Sequence, residues 1–427
     1  MGIKRWLLVV FLGELLLAFA GALLFRELFR ELGTESRVQP VVSILLLQGL
    51  APQVRIGVLL AAGLGFFLFG CWRLLTAILE PLGRRGREEP LVELIYQKRS
   101  LARGPRIVAI GGGTGLSTLL RGLKESTSNI TAVVTVADDG GSSGLLREEL
   151  GMPPVGDIRN CIAALADAEP VMTRLLQYRF PQERPGQAGL SGHAFGNLLI
   201  AALSAVEGDF EEGVRQSNRV LAVRGQVVPV AAEPLTLHAE LDDGRLLQGQ
   251  SVIARSVGIQ RVWVTPADVR ASAEALEAIG AADLIVLGPG SIYTSLLPSL
   301  LVPELRGALL DATAPRVFVC NVATQIGETE GYALSDHLAA LERHGAGRLI
   351  DWVLVNGNLG ARAPAGYPAA PVAIDLPADS SSGPRLLLRD VVDDGNAHHH
   401  DPLKLAGAVL DILAEAPSRG LSVARSA

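Results

Sequence analysis

The sequence predicts an α/β protein in which a mostly parallel sheet carries helices on both faces and follows two N-terminal transmembrane helices. Two observations predict the sheet: short, continuously apolar runs recur along the chain, and helical stretches separate them. Strands of a parallel sheet are buried on both faces, so they lack the alternation of polar and apolar residues seen in half-exposed strands. The third observation is a pair of long apolar runs near the N-terminus, which predicts the membrane helices.

Composition narrows the class of protein. Of the 427 residues, 49% are apolar and 19% are charged, which excludes a mainly disordered chain. Three cysteines without a CxxC pair exclude a disulfide scaffold and a zinc ribbon. Residues 1–105 carry 13 Lys and Arg against 8 Asp and Glu, whereas residues 106–427 carry 25 against 36. We expect the acidic larger part to bind no nucleic acid, because neutralising phosphates needs a basic face.

The two membrane helices are predicted at about 6–25 and 56–79, within a membrane region that comprises residues 1–80. Each run is close to the roughly 20 apolar residues that cross a bilayer. A shorter apolar run, 41–51, is too brief to span and is expected to be interfacial or re-entrant.

A cleaved signal peptide is the alternative for the first run. Lys4 and Arg5 precede it, and the triplet at 18–20 has the small-residue pattern of a cleavage site. Glu14, inside the apolar stretch, argues against this alternative and is expected to face the partner helix.

Basic residues predict the orientation. Seven lysines and arginines lie between positions 73 and 103, just after the second run, and cytoplasmic flanks carry such an excess. We therefore expect a multi-pass protein of the cell membrane with its main domain in the cytoplasm. Residues 81–105, rich in charge, Pro and Gly, are predicted to be a juxtamembrane linker, followed by a domain at 106–415 and a disordered tail at 416–427.

The elements of the main domain are predicted from the apolar pattern. Strands are expected at 106–110, 131–137, 261–264, 283–287, 316–319 and 352–355. Helices are expected after the first strand, where Leu116, Leu119, Leu120 and Leu123 share one face, and at 267–279 and 335–344. In such sheets ligands bind at the carboxyl ends of the strands.

A glycine-rich loop follows the first predicted strand. Gly112, Gly113, Thr114 and Gly115 open the next helix, and glycines let backbone N–H groups approach a phosphate. The loop is neither a dinucleotide fingerprint, which would need glycine where Leu116 stands, nor a Walker A loop. The loop is compatible both with phosphate binding and with a simple tight turn between strand and helix.

Acidic residues follow the second strand. Asp138 and Asp139 precede a run of Gly and Ser, and Asp157 lies in a second polar segment at 156–160. Carboxylates together with phosphate oxygens form the ligand set that Mg²⁺ prefers. A turn or helix cap is the alternative role for such aspartates.

Further polar loops follow the remaining strands. One loop contains His193 and Asn197. His193 is a candidate general acid or base or a phosphate donor, although a lone histidine is also often structural. Gly290, Ser291 and Tyr293 follow the strand at 283–287, Asn321 follows the next strand, and Asn356 the last. His398, His399 and His400 form a triple histidine, for which a metal site and a solvated position are both considered.

These motifs together resemble a known family. GGGTGLS, VTVADDGGSSG, GDIRN, SGHAFGNLL, ADLIVLGPGSIYTSLLP and NVATQIGETEGY are similar to the YvcK-like branch of the CofD superfamily, a branch of gluconeogenesis factors. The resemblance covers about residues 106–414 and does not include the N-terminal membrane extension. It implies a Rossmann-like α/β fold that binds a nucleotide.

The resemblance also implies roles for residues. Gly112 to Gly115 would face the phosphates of the ligand, and Asp139 and Asp157 would hold Mg²⁺ if a metal binds. The residues expected to line the ligand cleft are His193, Asn197, Gly290, Ser291, Tyr293 and Asn321.

Two functions follow from the resemblance. The first is a membrane-tethered regulator that binds a UDP-sugar and affects cell shape, envelope synthesis and gluconeogenic growth without catalysis. The second is a Mg²⁺-dependent 2-phospho-L-lactate transferase of the CofD type. A dinucleotide-dependent oxidoreductase is disfavoured, because no acidic residue ends a second strand after a GxGxxG turn. We also expect a homo-oligomer.

Overall fold

The structure is a computed structural model that describes residues 98–167, 169–181, 189–360, 369–377 and 383–415, together with positions 18, 51 and 54. The chain divides into two units, Met1–Leu94 and Ile95–Ala427, and nearly all described residues belong to the second. The predicted membrane helices, nearly all of the run 41–51, most of the linker and the tail lie outside the described residues. Among the residues that are described, no helix is both long enough and apolar enough to cross a bilayer.

Strands account for the centre of the second unit. In chain order they are β1 (Ile107–Gly111), β2 (Ile130–Val134), β3 (Gln226–Pro229), β4 (Thr236–Leu241), β5 (Leu246–Gln248), β6 (Ile259–Thr265), β7 (Leu284–Leu287), β8 (Arg316–Val319), β9 (Trp352–Asn356), β10 (Arg385–Arg389), β11 (Val392–Asp393) and β12 (Asn396–His400). Seven of them form one parallel sheet in the order β10-β9-β8-β7-β1-β2-β3.

The middle of this sheet is apolar because helices flank it. Every residue of β1, β7 and β9 is buried, as the uninterrupted apolar runs of the sequence predict. The parallel α/β sheet and five of the six predicted strands are thereby confirmed, with small differences at their ends. β3 and β10 are additional edge strands that the sequence analysis did not identify, because their short runs are flanked by polar residues.

Helices connect the strands. In chain order they are α1 (Gly113–Leu123), α2 (Gly141–Leu150), α3 (Gly156–Leu165), α4 (Glu169–Gln177), α5 (Phe195–Glu207), α6 (Phe210–Val220), α7 (Gln250–Ile253), α8 (Ala273–Ala281), α9 (Leu297–Leu300), α10 (Pro303–Asp311), α11 (Leu334–Arg343) and α12 (Pro402–Glu415). A π-helical turn, Ile292–Leu296, leads directly into α9, and a 3₁₀ turn spans Gly347–Leu349.

Helix α1 is held from two sides. Its four predicted leucines are all buried, which confirms the apolar face. On the other side, Gly122 lies so close to Pro402 that a Cβ at position 122 would overlap the Pro402 carbonyl. The first residue of α1 is therefore fixed relative to the end of β1, and this determines where the glycine-rich loop lies.

The predicted strand at 261–264 belongs to a different sheet. It is part of β6, which pairs antiparallel with β4 in a separate three-stranded sheet of order β5-β4-β6. The prediction that it joins the parallel sheet is wrong. The physical reason is visible in its burial: Gln260 and Arg261 are exposed while Val262 and Val264 are buried, the alternation of a strand with one solvated face.

The C-terminal part forms a small hairpin before the last helix. β11 pairs antiparallel with β12, which carries the triple histidine, and α12 follows at once. The predicted helices at 267–279 and 335–344 correspond to α8 and α11, and α8 begins later than predicted.

Candidate functional site

Three neighbouring strands bring their loops together at one edge of the sheet. β1, β7 and β8 lie side by side, so the segments that follow them, 112–115, 288–291 and 321–326, converge on one cleft of about 410 Å³. Thr118 of α1 and the histidines of β12 complete the lining. This is the position at which open parallel sheets bind ligands.

The glycine-rich loop supplies backbone donors to this cleft. Gly112 has extended backbone, and no side chain caps the start of α1. Gly113 has φ +70°, a conformation that favours glycine, and its N–H donates to the Asp157 carboxylate behind the loop. Thr114 is exposed at the cleft. The uncapped first turn of a helix, with its partial positive charge, suits an anionic group.

Gly115 has a different reason to be glycine. A Cβ at this position would lie 2.7 Å from the Pro289 carbonyl oxygen. The residue therefore allows the loops after β1 and β7 to touch, whereas the sequence analysis attributed it to the approach of a phosphate. All four residues of the loop line the cleft, and Thr114 is the most exposed of them.

Asn321 fastens the loop that follows β7. Its Oδ1 accepts from the Gly290 N–H at 3.1 Å, and its Nδ2 donates to the Gly290 carbonyl at 3.0 Å. Asn321 and Gly290 both line the cleft, as predicted, but the amide of Asn321 is engaged with the backbone of Gly290. Its main contribution is to orient this wall.

The hydroxyl of Ser291 also has a partner within the protein. Ser291 lines the cleft but is only 9% exposed, and its hydroxyl donates to the carboxylate of Glu328. The Thr294 hydroxyl donates to the other oxygen of the same carboxylate. The sequence analysis did not identify Glu328, because neither of the two glutamates in the segment NVATQIGETEGY gives a signal of burial.

Tyr293 lies elsewhere than predicted. Its side chain is 0% exposed, and its hydroxyl lies 3.0 Å from that of Tyr332 and donates to the Ile259 carbonyl at 3.3 Å. Burial raises the pKa of the Tyr293 phenol. It does not line the cleft, because the π-helical turn directs it towards β6 and away from the sheet edge.

Asp157 lies beside Asp138, whereas the sequence analysis paired it with Asp139. Asp157 has its pKa raised to about 6, first by burial and then by the charge of Asp138, whose own pKa burial also raises. A Cβ at Gly156 would lie 2.9 Å from Asp138 Oδ2, which places Asp138 beside the start of α3. Asp138 and Asp157 therefore face each other.

Asp139 points in another direction. Its Oδ1 accepts from the Ser251 N–H at 2.8 Å, at the start of α7, and its other oxygen touches Gly249. The prediction of Asp139 and Asp157 as one metal site is corrected: Asp138 takes the place beside Asp157. The described residues contain no group of three or more His, Cys, Asp or Glu arranged to hold a metal.

His193 and Asn197 belong to a buried network next to this acidic pair. The Ser142 hydroxyl lies 3.3 Å from His193 Nδ1 and accepts from Asn197 Nδ2 at 3.1 Å. Arg159 donates to Asn197 Oδ1 at 3.1 Å. Neither His193 nor Asn197 is among the residues that line the cleft.

Arg159 links the network to the carboxylates. It is 8% exposed, and its charge lowers the pKa of both Asp138 and Asp157. The sequence analysis quoted this residue only as part of GDIRN. The spacing of Asp157 and Arg159 gives no signal of this role, because residues two positions apart on a helix do not face each other.

The three histidines of β12 lie along the cleft. His400 is 7% exposed, donates from Nε2 to the Cys320 carbonyl at 3.3 Å, and has its pKa lowered to about 4 by burial, so it is neutral at pH 7. His399 is exposed. The described residues that line the cleft include no lysine or arginine. The hairpin places the histidines at the cleft, which the sequence alone did not indicate.

Two other features of the domain lie away from the cleft. Asn356 at the end of β9 accepts from the Asn358 N–H at 3.2 Å and stays within its own turn. A cavity of about 520 Å³ opens at the opposite, amino-terminal edge of the sheet, where Arg106 pairs with Asp283 and Glu274 with Arg215. Arg106 and Glu274, which line this cavity, are thus already paired within the protein.

Comparison with known sequences gives consistent results. The profile of the family described as 2-phospho-L-lactate transferase CofD matches residues 107–392. A protein of Nostoc sp. strain PCC 7120 is 45% identical over 422 residues, which span 96% of this chain and 90% of that protein. The gluconeogenesis factor of Bacillus subtilis strain 168 is 44% identical over 321 residues, 74% of this chain and 100% of the relative.

A solved structure is similar as well. The crystal structure of a protein from Bacillus halodurans is 43% identical and superimposes with a TM-score of 0.66. The match covers 72% of this chain and 100% of that chain. The similarity therefore extends over the whole of the shorter protein.

Proposed function

The chain belongs to the CofD family, among the gluconeogenesis factors, and from this premise we propose that it binds a nucleotide sugar of the UDP-sugar class as a regulator. The observation that carries the proposal is the cleft at the carboxyl edge of the sheet. There the uncapped first turn of α1 offers backbone N–H donors to a diphosphate, next to the open Gly113, whose own N–H donates to Asp157. No reaction is needed for this role.

The character of the cleft supports a nucleotide sugar. With no lysine or arginine among its described lining residues, the cleft suits a ligand of modest charge, held by backbone dipoles and hydroxyls. Thr118, Thr324 and Gln325 provide neutral polar groups near the loop. Such groups match the hydroxyls of a ribose or a sugar better than they match an additional terminal phosphate.

A divalent cation fits next to this cleft. Asp138 and Asp157 form a half-buried like-charge pair, and among the described residues the charge of Arg159 offsets theirs in part. Their hard oxygens are ligands that Mg²⁺ accepts, together with ligand oxygens and water. We propose that these two residues would hold Mg²⁺, which would neutralise charge on the diphosphate.

The cellular role follows from the family and from the sequence pattern. We propose a cytoplasmic domain tethered to the cell membrane by the N-terminal apolar runs, acting on cell shape, envelope synthesis and gluconeogenic growth. A homo-oligomer is part of the same proposal. Residues 73–103, with their seven basic residues, support the orientation.

Binding by the purified chain tests the proposal. UDP-glucose, UDP-N-acetylglucosamine, UDP, GDP and NAD⁺ would be titrated, with unfolding temperature and calorimetric heat as readouts. A ligand at 100 times its Kd stabilises the folded state by about 2.7 kcal/mol. We expect saturable binding of a UDP-sugar. Failure of both sugars to bind, with or without Mg²⁺, would remove the nucleotide-sugar function.

A phospholactyl transferase is the second candidate. It is favoured by the description of the matching family and by Asp157, whose raised pKa of about 6 suits a base that accepts the proton of an acceptor hydroxyl. Acceptor-dependent release of a nucleoside monophosphate from a nucleoside-diphosphate-linked donor would support this candidate. Binding of a UDP-sugar without turnover would favour the regulator.

A further inference from the structure

Glu328 is a buried carboxylate directly behind one wall of the cleft. It is 4% exposed, and its two oxygens accept from the hydroxyls of Ser291 and Thr294. The backbone N–H groups of Tyr293 and Thr294 lower its pKa, and the Thr294 N–H donates to the Ser291 hydroxyl at 3.2 Å. The carboxylate thus occupies the start of the π-helical turn Ile292–Leu296, a position that would otherwise attract an anion.

The hydrogen bonds from Ser291 and Thr294 stabilise the buried carboxylate. A carboxylate without partners is costly in an apolar interior, and charge-assisted hydrogen bonds offset this cost. Burial raises the pKa of Glu328, and the surrounding donors lower it. The residue therefore fixes the geometry of the turn from within the protein.

A chain of contacts leads from Glu328 to the glycine-rich loop. Ser291 is bonded to Glu328 and follows Gly290, whose backbone Asn321 holds on both sides. A Cβ on Gly290 would lie 3.2 Å from the Gly112 carbonyl oxygen, so the two loops are in contact. A shift of the turn would therefore move both walls of the cleft.

We propose that Glu328 is a positioning residue for the ligand: it holds the turn after β7 in place against the glycine-rich loop without touching the ligand itself. Glu328 is not among the residues that line the cleft, whereas Gly290, Ser291 and Asn321 are. The proposal rests on the proposed function, because it concerns the affinity of the same cleft for a nucleotide sugar.

Charge and position predict opposite effects of a substitution. A carboxylate near a diphosphate repels it, so removing the charge alone would strengthen binding. Loss of the anchored turn would weaken binding, because backbone donors would no longer converge on the phosphate. The sign of the change therefore separates a positioning residue from a merely acidic neighbour.

The first experiment compares Glu328→Gln with Glu330→Gln by calorimetric titration of UDP-glucose. Glu330 lies two residues away in the same loop and is exposed, so its substitution removes the same charge without disturbing the turn. We expect at least tenfold weaker binding for Glu328→Gln and less than twofold change for Glu330→Gln. Unchanged or tighter binding by a folded Glu328→Gln variant would overturn the proposal.

The second experiment removes a partner of the carboxylate. Thr294 is 2% exposed and does not line the cleft, so Thr294→Val should also weaken UDP-glucose binding, while Thr294→Ser, which keeps the hydroxyl, should restore it. Thr294→Val and Thr294→Ser with equal affinities would contradict the proposal. This pair keeps it testable even if Glu328→Gln does not fold.

Amide hydrogen exchange separates this inference from the proposed function. Residues 288–296 should exchange faster in Thr294→Val and in Glu328→Gln than in the wild type, with no ligand present. If the wild type binds no UDP-glucose, the function fails, and exchange still decides whether Glu328 anchors the turn. Equal exchange in that segment would overturn the anchoring.

Discussion

At the scale of single residues, two glycines of the same loop meet different requirements. Gly113 has a positive φ and faces the cleft, whereas Gly115 allows the Pro289 carbonyl to approach. A substitution of Gly113 therefore tests ligand binding without changing how the two loops pack, whereas a substitution of Gly115 changes that packing. A Cβ at Gly113 would lie 3.7 Å from Ser295 Oγ, an ordinary contact, so the fold accepts an alanine there.

Gly113→Ala should weaken UDP-glucose binding by tenfold or more, because the methyl group would stand among the backbone donors. Its conformational strain should cost about 1 kcal/mol of stability. Gly151→Ala is the matched control: Gly151 has φ +66° at the end of α2, with no atom within 4 Å of its ideal Cβ. We expect thermal unfolding to show a similar loss of stability in both variants. Calorimetry should show weaker UDP-glucose binding only in Gly113→Ala. Equal affinities would contradict the role of Gly113.

The raised pKa of Asp157 gives a pH dependence of stability. Its pKa is about 6 in the folded state and ordinarily 3.8, so the folded state binds the proton more strongly. This contribution is present below pH 3.8 and is lost as the pH rises through 6; at about 1.4 kcal/mol per pKa unit it amounts to roughly 3 kcal/mol.

Asp157→Asn should therefore gain stability relative to the wild type as the pH rises from 4 to 6.5 in EDTA. The asparagine keeps an oxygen that can accept from the Gly113 N–H but carries no charge beside Asp138. Chemical denaturation at several pH values would measure the difference. A difference that does not vary with pH would show that Asp157 titrates normally.

At the scale of elements, the sequence predicted polar loops at the ends of five strands, and the structure brings those after β1, β7 and β8 to one cleft but not those after β2 and β9. The sequence did not indicate which side chains point into the cleft. Continuous apolar runs located five strands of the parallel sheet, and parallel strands carry their loops to one edge. Successive residues at a strand end point in different directions, so Asp138 and Asp139 could not be told apart. The direction of Tyr293 depends on a π-helical turn, which has no sequence signature.

Contacts from distant segments also escaped prediction. The histidines of β12 reach the cleft, and Glu328 reaches the Ser291 hydroxyl behind its wall, only because loops far apart in sequence fold against each other. Their residue types carried no signal of this, since a single acid in a polar loop is usually solvated. The strand at 261–264 was assigned to the wrong sheet because a four-residue window hides the alternation seen over the whole of β6.

The loop after β2 and the helix α7 allow a test of the metal proposal. Asp138→Asn should lose the gain in UDP-glucose affinity that Mg²⁺ gives over EDTA. Asp139→Asn is the control, since Asp139 binds the backbone of α7 rather than facing Asp157. Titrations in both buffers would measure the gain for each variant. If Asp139→Asn loses the Mg²⁺-dependent gain in affinity and Asp138→Asn keeps it, Asp139 is the metal ligand, as the sequence analysis predicted.

At the scale of the whole molecule, the tether and the domain form one functional proposal. A cleft that binds a nucleotide sugar, as we propose, would require the cytoplasm, where such ligands are made, and the basic residues at 73–103 favour that side. A fluorescent protein fused after Ala427 should be fluorescent, and alkaline phosphatase fused at the same point should stay inactive. Active phosphatase would place the domain outside and contradict the tethered regulator.

The central claim is that a nucleotide sugar binds at the carboxyl edge of the sheet, and amide hydrogen exchange with and without UDP-glucose tests it most directly. We predict slower exchange at 111–118 and 288–291, where the two glycine loops meet, and no change at the amino-terminal edge around Arg106 and Gln226. Protection at the amino-terminal edge, or saturable binding that leaves both glycine loops unchanged, would contradict the account.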